Sequence, residues 1–493
     1  MRIIEHFING SSHSDAPRSS DVWNPSDGEV QATVGLGTAA TLEKAMDAAR
    51  AAQPGWAATN PQRRARVMFA FKDLVERNME ELAATLSSEH GKVIADSKGD
   101  IQRGLEVIEF CCGIPHALKG EYTQGAGPGI DVYSMRQPLG IGAGITPFNF
   151  PAMVPFWFLP FAIACGNTFI LKPSEQVPMT QQLVFELLDE MEFPPGVVNL
   201  VNGGRDVVEA LLDHPGIDAI SFVGSAPVAK LVYERAARAG KRVQALGGAK
   251  NHMLVLSDAD VDMAADAAIG AGYGSAGERC MAISVVLASE SIADELVAKI
   301  AERIPGVKVG PGNEAGNEMG PLITAEHRDK VRGYVNNAPE EGATLVVDGR
   351  SGVPSDGFFL NPTLLDNVTT DMACYRDEIF GPVLSVVRVA GYQEGLDVIN
   401  ANPYANGTAI FTRDGGAARQ FQFDVQVGMV GINVPVPVPV SYYSFGGWKA
   451  SLFGDTHMYG PEGINFYTQG KVVTSKWPDP STSTIDLGFP ETR

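Results

Sequence analysis

One cysteine and a distant asparagine are the residues whose types and settings could do covalent chemistry. Cys280 stands in the segment Gly277-Glu-Arg-Cys-Met281, and Asn149 lies far upstream. A thiolate adds to an aldehyde carbonyl and gives a tetrahedral oxyanion, which needs neutral donors aimed at it. A backbone N–H beside the sulfur and the amide of Asn149 are such donors. The alternative for a lone cysteine is a small buried hydrophobic residue.

Glycines precede Cys280 and match the pattern G-x-G-x-x-G at residues 272–277. That pattern binds dinucleotides when a strand precedes it and a helix follows, whereas a helical run, Met263 to Ile269, precedes it here. We interpret these glycines as a sharp turn that presents Cys280. If the cysteine lies at a helix N-terminus, the helix dipole lowers its thiol pKa.

Length and charge limit the functional classes. The 493 residues, of which 44% are hydrophobic, predict two or three units with their own cores. The formal charge of −20, from 38 basic and 58 acidic residues, argues against nucleic-acid or anionic-membrane partners. An anionic substrate would therefore need a local arginine pocket.

The cysteines and apolar stretches indicate a cytoplasmic protein. Five scattered cysteines imply no disulfide framework, and residues 1–20 show no secretory signal. Residues 137–171 carry no charge, but their five prolines predict a buried core segment and no membrane span. Cys112 and His116 have helical i, i+4 spacing, yet without further paired ligands we predict no metal site.

The coarse pattern of elements predicts an α/β fold with two doubly wound parallel sheets and a small β arm. Helical periodicity covers residues 42–58, 61–89 and 92–118, and short apolar strands alternate with helices from Gly140 onward and again after Asn251. The glycine-rich residues 119–136 predict a hairpin that serves in oligomerisation. The predicted boundaries are 1–118 and 137–250 for a nucleotide-binding domain, 251–440 for a catalytic domain, 441–470 for a return segment, and 119–136 with 471–493 for the arm and C-terminal strand.

Two polar loops follow predicted strands. Thr146-Pro-Phe-Asn149-Phe-Pro151 ends the strand Ile141 to Ile145, and Lys172-Pro-Ser-Glu175 ends the next one. Ligands of open α/β sheets bind beyond the carboxyl ends of the strands, so both loops should face a cleft. The alternatives are that Asn149 caps a helix and that the second loop is a solvated turn.

Six ordered motifs resemble the aldehyde dehydrogenase superfamily over nearly the whole chain. They are Thr146-Pro-Phe-Asn149-Phe-Pro151, Lys172-Pro-Ser-Glu175, Phe222-Val-Gly224-Ser225, Glu278-Arg-Cys280, Glu378-Ile-Phe380-Gly-Pro382 and Phe445-Gly-Gly-Trp448-Lys449. The resemblance implies Cys280 as nucleophile and Asn149 as oxyanion donor. It also implies a cofactor site made of Thr146, Phe148, Lys172, Glu175, Gly224, Ser225, Glu378 and Phe380. A glutamate at 175 that binds ribose hydroxyls disfavours a 2′-phosphate, so NAD is expected.

The segment Gln244-Ala-Leu-Gly-Gly-Ala-Lys-Asn-His252 departs from that pattern. Most members have a glutamate here that activates water, and no carboxylate occupies the position in this chain. Without a base, a thioester at Cys280 should resist hydrolysis and wait for a thiol such as coenzyme A. Ala229, where a second glycine is usual, also departs and puts the pyrophosphate fit in doubt.

The same segments resemble the CoA-acylating methylmalonate-semialdehyde dehydrogenase branch. That branch oxidises malonate or methylmalonate semialdehyde with loss of CO2 and forms acetyl-CoA or propionyl-CoA. It implies Arg103 and Arg279 for the carboxylate of a small anionic aldehyde. Trp157 and Phe445 are expected to line the substrate tunnel, and a homo-oligomer, a dimer or tetramer, is expected.

Three rival functions remain open. A hydrolytic aldehyde dehydrogenase would use Glu378 or a relayed water as base and release a free acid. A cysteine hydrolase or acyltransferase would need a histidine beside Cys280, and His252 is the nearest in sequence. A non-catalytic binding protein on the same fold would leave Cys280 inert.

Overall fold

A computed structural model describes residues 2–14, 16–191 and 194–477. Its first large sheet has eight strands, which lie in the spatial order Leu452–Phe453, Arg242–Leu246, Ala219–Val223, Ile141–Ile145, Thr168–Lys172, Val198–Leu200, His6–Ile8 and Ser11–His13. The five strands between residues 141 and 246 are parallel, and the flanking strands at either edge are antiparallel.

The strand order of the first sheet reverses next to Ile141–Ile145. The chain continues from this strand to Thr168–Lys172 on one side, and later returns to place Ala219–Val223 on its other side. A crevice forms at the carboxyl edge where the order reverses, because the connections leave in opposite directions. The two loops that the sequence predicted to face a cleft follow strands at this point.

Helices cover both faces of the first sheet. They are Ala39–Ala58, Pro61–Arg77, Met79–His90, Ile94–Cys112, Ile114–Ala117, Met153–Ala164, Met179–Asp189, Arg205–Asp213 and Ala226–Arg238. The helix Met153–Ala164 is apolar on every side and all of its residues are buried, as expected of a helix inside a core. Among the described residues, no helix is long and apolar enough to cross a membrane.

The second large sheet has seven strands. They lie in the order Thr344–Val347, Thr363–Asp366, Val383–Val389, Ile283–Ser289, Asn251–Val255, Gly407–Phe411 and Met429–Ile432. All neighbours are parallel except the first pair. Its helices are Val261–Tyr273, Glu290–Arg303, Ala325–Asn337, Ala373–Arg376, Tyr392–Ala401 and Gly415–Asp424, with short 3₁₀ turns at Gly274–Gly277 and Ile304–Gly306.

A direct link between the two sheets determines where the site forms. The strand Arg242–Leu246 ends the parallel part of the first sheet, and four residues later Asn251–Val255 begins inside the second. Because no helix intervenes, the carboxyl edge of the first sheet faces the amino edge of the second. Residues that follow strands of one sheet therefore meet residues that precede strands of the other.

Smaller elements complete the fold. Three strands form the arm, in the order Thr468–Lys476, Ile130–Pro138 and Tyr122–Gly127, which matches the predicted hairpin and late strand. Arg2–Ile4, Glu29–Leu36 and Arg18–Asn24 form another sheet, Tyr404–Ala405 pairs with Trp448–Lys449, and the helix Gly460–Phe466 precedes the last strand. Residues 478–493 of the predicted C-terminal segment lie outside the described residues, and the domain boundaries stay predictions.

Several element predictions were wrong in detail. The helices predicted over 61–89 and 92–118 are each divided, at Asn78 and Gly113. Cys112 and His116 therefore lie in different helices, and the described residues contain no group of three or more His, Cys, Asp or Glu side chains able to hold a metal. The strands before residue 37, and those at 344–347 and 363–366, were not predicted. Most of these strands have only three or four residues, too few to show a periodicity.

Candidate active site

Cys280 lies in a tight turn at the amino edge of the second sheet. The turn runs from the 3₁₀ segment Gly274–Gly277 to the strand Ile283–Ser289. Ser275, Ala276 and Gly277 all have left-handed backbones, with φ of 53°, 53° and 72°. Gly277 has no substitute, because a Cβ there would lie 2.3 Å from the carbonyl oxygen of Gly381. The chain thus turns sharply before Cys280, as predicted, but only Gly277 of the three glycines contributes a left-handed backbone, and Gly272 lies in the preceding helix.

The environment of the thiol corrects one expectation. Cys280 precedes a strand and does not lie at a helix N-terminus, so no helix dipole lowers its pKa. Burial instead raises the pKa of the thiol to about 12, and the carboxylate of Glu378 adds to the rise. The backbone is well held, since the carbonyl of Cys280 accepts hydrogen bonds from the amides of Asn251 at 2.9 Å and Asn406 at 3.1 Å.

Asn149 reaches the same turn from the carboxyl edge of the first sheet. Its side chain is buried, and Nδ2 donates to the carbonyl oxygen of Glu278 at 3.0 Å. Glu278 is two residues from Cys280 and its carboxyl group is fully buried. The structure therefore brings together the two residues from which the chemistry was inferred, and gives Asn149 a contact other than capping a helix.

A narrow crevice lies against Cys280. Its lining includes Arg279, Asn251, Ala249, Glu378 and Phe380. Among the described residues, Glu378 is the only carboxylate in that lining. Its Oε1 accepts from the backbone N–H of Ala249 at 2.8 Å, and burial raises the pKa of the carboxyl group. The segment 244–250 itself brings no carboxylate.

The two predicted substrate arginines border one helix. Arg279 donates to Asp96 at 2.7 Å, in the first turn of the helix Ile94–Cys112, and Arg103 is paired with Glu106 at 3.0 Å on the same helix. Positions 96 and 103 are seven apart and so lie on one helical face. Each of the two predicted cations therefore already has an acidic partner.

Buried aromatic side chains belong to the hydrophobic core cluster against which Cys280 packs. Trp157 and Phe445 are buried, with ring centroids 4.7 Å apart, and Tyr459 lies 5.5 Å from Trp157. The charges of both Arg103 and Cys280 act on the hydroxyl of Tyr459, whose pKa is raised chiefly by burial. Sequence reasoning missed Tyr459, because neither its neighbours nor its distance along the chain point to Cys280.

The predicted ribose ligands lie at the carboxyl edge of the first sheet. Thr146 is buried and bonds through its N–H to the carbonyl of Lys172 at 3.1 Å. The ammonium group of Lys172 is 2.8 Å from the carboxylate of Glu175. Burial alone would raise the pKa of Glu175, but the charge and hydrogen bond of Lys172 lower it. Glu175 is therefore an anionic acceptor suited to hydroxyl groups.

Gly224 and Ser225 join the strand Ala219–Val223 to the helix Ala226–Arg238. The first N–H groups of a helix attract anions such as a pyrophosphate, so the position fits the proposed ligand. Ala229 lies in this helix with no exposed surface, and its methyl group packs into the hydrophobic core. The methyl group of Ala229, which a glycine would lack, therefore lies in the core and away from solvent.

Phe148 and Phe380 approach each other from opposite sheets. Their ring centroids are 5.9 Å apart with nearly perpendicular planes, and Phe380 has a left-handed φ of 57°. The carbonyl of Phe380 is 2.7 Å from Nε2 of His327. Phe380 shares the thiol cavity with Glu378, so an aromatic wall and a carboxylate stand together, as a ribose and a flat ring require.

His252 does not serve the thiol. Its Nε2 is 3.0 Å from the hydroxyl of Tyr375 in a buried contact, and burial lowers the pKa of the imidazole to about 3. His252 is absent from the cavity lining that includes Cys280, within the part of the chain described. The geometry disfavours a cysteine hydrolase built on this pair.

Comparisons with known proteins agree with this arrangement. A sequence profile of the aldehyde dehydrogenase family matches residues 12–473. A malonate-semialdehyde dehydrogenase of Pseudomonas aeruginosa is 53% identical over 482 residues, 97% of each chain. A crystal structure of a protein from Sinorhizobium meliloti, described as a putative methylmalonate-semialdehyde dehydrogenase complexed with NAD, superposes with a TM-score of 0.96 at 53% identity, over 98% of this chain and 99% of that one.

A more distant structure shows the same fold. Betaine aldehyde dehydrogenase of Staphylococcus aureus in complex with NAD⁺ is 30% identical and superposes with a TM-score of 0.92, over 99% of this chain and 97% of the other. The profile and the high-identity relatives cover nearly all of the chain, including both sheets. The protein is an enzyme of the aldehyde dehydrogenase family.

Proposed function

We propose that the enzyme catalyses NAD-dependent, CoA-acylating oxidation of malonate or methylmalonate semialdehyde to acetyl-CoA or propionyl-CoA, with loss of CO2. The observation that carries the proposal is the crevice at Cys280, which is lined by Arg279 and receives no carboxylate from the segment 244–250. The names of the high-identity relatives support the substrate class. A homo-oligomer built through the arm sheet and a cytoplasmic location, suggested by five free cysteines, belong to the same proposal.

The first step is attack of Cys280 on the aldehyde carbon. At pH 7 a thiol with a pKa of about 12 is almost wholly protonated, so the site must favour the thiolate when ligands bind. A positively charged nicotinamide ring, if held by Glu378 and Phe380 near the sulfur, would supply such an effect. The amide nitrogen of Asn149 carries two N–H groups: one is held by the carbonyl of Glu278, and we assign the other to the oxyanion.

Lys172 and Glu175 would hold the adenosine ribose, Gly224 and Ser225 the pyrophosphate, and Glu378 and Phe380 the nicotinamide ribose and ring. When bound, NAD accepts the hydride and leaves an acyl group on Cys280 as a thioester. The anionic Glu175 disfavours a 2′-phosphate, and this supports NAD over NADP.

The arginines determine which aldehyde is taken. Arg279 and Arg103 flank one face of the helix Ile94–Cys112, and a guanidinium binds a carboxylate through paired N–H groups. After oxidation the acyl group is a malonyl thioester. The bond between the carboxylate and the α carbon then breaks and releases CO2. Its electrons pass into the thioester carbonyl, and the resulting enolate takes up a proton to give an acetyl thioester.

Transfer to coenzyme A completes the cycle. The thiol of coenzyme A attacks the acetyl thioester, and Cys280 leaves with the proton. Water is the competing nucleophile, and it needs a base to attack efficiently. The carboxylate that could assist water is Glu378. Its Oε1 is already bonded to the N–H of Ala249, and we assign this carboxylate to the nicotinamide ribose.

A hydrolytic aldehyde dehydrogenase is the second candidate, because Glu378 shares the cavity with Cys280. Product analysis separates the two functions. The enzyme is incubated with malonate semialdehyde and NAD, with and without coenzyme A, and the product is identified by mass. We expect acetyl-CoA with the thiol and at most one equivalent of NADH per site without it. Sustained release of free acid without coenzyme A would refute thiolysis and establish the second candidate.

A further inference from the structure

A buried lysine lies directly behind the loop that carries Asn149. Lys92 is 1% exposed, and its Nζ donates to the backbone carbonyl of Asn149 at 2.6 Å. The same ammonium group lies 4.3 Å from the centre of the Phe150 ring and 3.2 Å from Oδ2 of Asp100. Burying a lysine costs free energy unless its partners replace water, and one of these partners is the backbone of Asn149.

Asp100 holds the other end of the same loop. It is 2% exposed, and its Oδ1 accepts a hydrogen bond from the backbone N–H of Met153 at 2.7 Å. Burial raises the pKa of Asp100, while Lys92 and the backbone N–H groups of Met153 and Ala152 oppose that rise. The two side chains therefore form a clamp, defined here as Lys92 with Asp100, which bonds a carbonyl at the start of the loop and an N–H at its end.

A third bond fixes the middle of the loop. Nε2 of Gln181 donates to the carbonyl of Pro151 at 2.7 Å in a buried contact. Beyond the loop, the side-chain amide of Asn149 extends to the carbonyl of Glu278 in the Cys280 turn. A side chain whose backbone is bonded in this way has few alternative positions, and preorganised donors stabilise an oxyanion because they need no reorganisation.

The backbone around Lys92 is fixed by the second sheet's domain. The N–H of Ile94 donates to the carbonyl of Gly312 at 3.1 Å. A Cβ on Gly312 would lie 2.3 Å from the carbonyl oxygen of Lys92, and one on Gly320 would lie 1.9 Å from that of Gly91. Lys92 is thus held where the two halves of the molecule meet, and its side chain is directed to the loop of residues 149–153.

We propose that Lys92 and Asp100 are positioning residues for aldehyde oxidation, which fix the 149–153 loop so that the amide of Asn149 faces the oxyanion. This inference rests on the proposed role of Asn149. The clamp touches neither the thiol nor the substrate. Its removal should lower the rate of hydride transfer and leave substrate binding and thiol reactivity largely unchanged.

A double-mutant cycle tests the inference. Lys92→Met, Asn149→Ala and the double variant are compared by the rate of NADH formation in the first turnover. Loss of one oxyanion donor costs about 10²- to 10³-fold in rate, and we expect at least a tenfold loss, about 1.4 kcal/mol, for Lys92→Met. The rate of the double variant should lie within about threefold of the Asn149→Ala rate, because the clamp acts through Asn149.

Two further readouts separate positioning from general damage. The KM for aldehyde and the rate at which iodoacetamide alkylates Cys280 should each change by less than about threefold in Lys92→Met, since neither depends on the oxyanion. Lys241→Met is the matched control, because Nζ of Lys241 also donates to backbone carbonyls, those of His214 and Ile217. These groups lie at the amino edge of the first sheet, opposite the carboxyl edge that carries Asn149. The Lys241→Met variant should retain the wild-type rate.

The outcomes are distinct. If Lys92→Met does not fold, Asp100→Asn replaces it, because the amide oxygen can still accept from Met153 while the charge is lost. If Asn149→Ala is slow and the rate loss of the double variant is the product of the two single losses, the clamp is overturned and the role of Asn149 stands. A wild-type rate for Asn149→Ala would overturn both.

Discussion

The two loops that meet at the thiol, residues 146–153 and residues 274–282, are held by different physical means. Buried side chains bond the first loop along its length, at Asn149, Pro151 and Met153. The second loop depends on backbone strain and close packing, with three successive left-handed residues ending at Gly277. The difference teaches that Asn149, the proposed oxyanion donor, is fixed in advance, whereas Cys280, the proposed nucleophile, is presented by a strained turn and has a thiol pKa raised by burial.

Loss of the sulfur should have the largest effect. Cys280→Ala removes the only group assigned to bond the aldehyde carbon, so NADH formation should fall by at least about 10⁴-fold. Stopped-flow absorbance measures this directly. Cys112→Ala is the control, since Cys112 ends a helix in the N-terminal layer and should keep the wild-type rate. Turnover in Cys280→Ala that approached the wild type would remove the thiol from the mechanism.

Loss of Arg279 should have the next largest effect. This effect should appear in substrate binding. Arg279→Met removes a cation that now bonds Asp96 and is assigned to the substrate carboxylate. We expect KM for malonate semialdehyde to rise about 10- to 100-fold, as for loss of a charge-assisted hydrogen-bond pair. KM for propanal, which has no carboxylate, should differ from the wild-type value by less than about threefold. Equal changes for both aldehydes would contradict the assignment.

The pH dependence of alkylation tests the buried state of the sulfur. Below its pKa a thiol gains thiolate tenfold per pH unit, and burial raises the pKa of Cys280 to about 12. The rate with iodoacetamide in the free enzyme should therefore rise steadily from about pH 7 to 10 without a plateau. Peptide mass identifies the modified cysteine. A plateau below about pH 9 would show that the thiol is activated before any ligand binds.

Relief of strain in the turn should have the smallest effect. Ala276 has a φ of 53°, and an ordinary residue in that region costs about 1–2 kcal/mol. Ala276→Gly should raise the free energy of unfolding by up to about 1 kcal/mol, because the greater freedom of glycine in the unfolded chain offsets part of the gain. Gly277→Ala is the opposite case and should destabilise, since its Cβ meets the carbonyl of Gly381. Thermal unfolding measures both, and a lower stability for Ala276→Gly would argue against strain.

The five parallel strands of the first sheet and the loops that follow them could be predicted from the sequence, whereas its antiparallel edge strands could not. The parallel strands are short apolar runs between turns, and motifs such as Thr146 to Pro151 follow them directly, so local order determines where the side chains lie. The second half of the site is different. Cys280 and Glu378 precede their strands, and it is the direct link at residues 247–250 that places them opposite Asn149. Nothing local to either residue encodes that placement.

Lys92, Asp100 and Tyr459 could not be found in this way. Each is distinguished by a contact with a residue far away in the chain, such as the carbonyl of Asn149 or the ring of Trp157. A lysine after a glycine and an aspartate in a helix have ordinary surface roles in most sequences. Only burial distinguishes them, and burial is a property of the assembled sheets.

The acyl group on Cys280 provides the most direct test of the central claim. The enzyme is mixed with malonate semialdehyde and NAD without coenzyme A, quenched after the first burst of NADH, and the Cys280 peptide is weighed. The account predicts an acetyl thioester on Cys280 that persists until coenzyme A is added and then disappears as acetyl-CoA forms. A bare thiol with continued NADH formation would contradict it, since water would then deacylate the enzyme unaided.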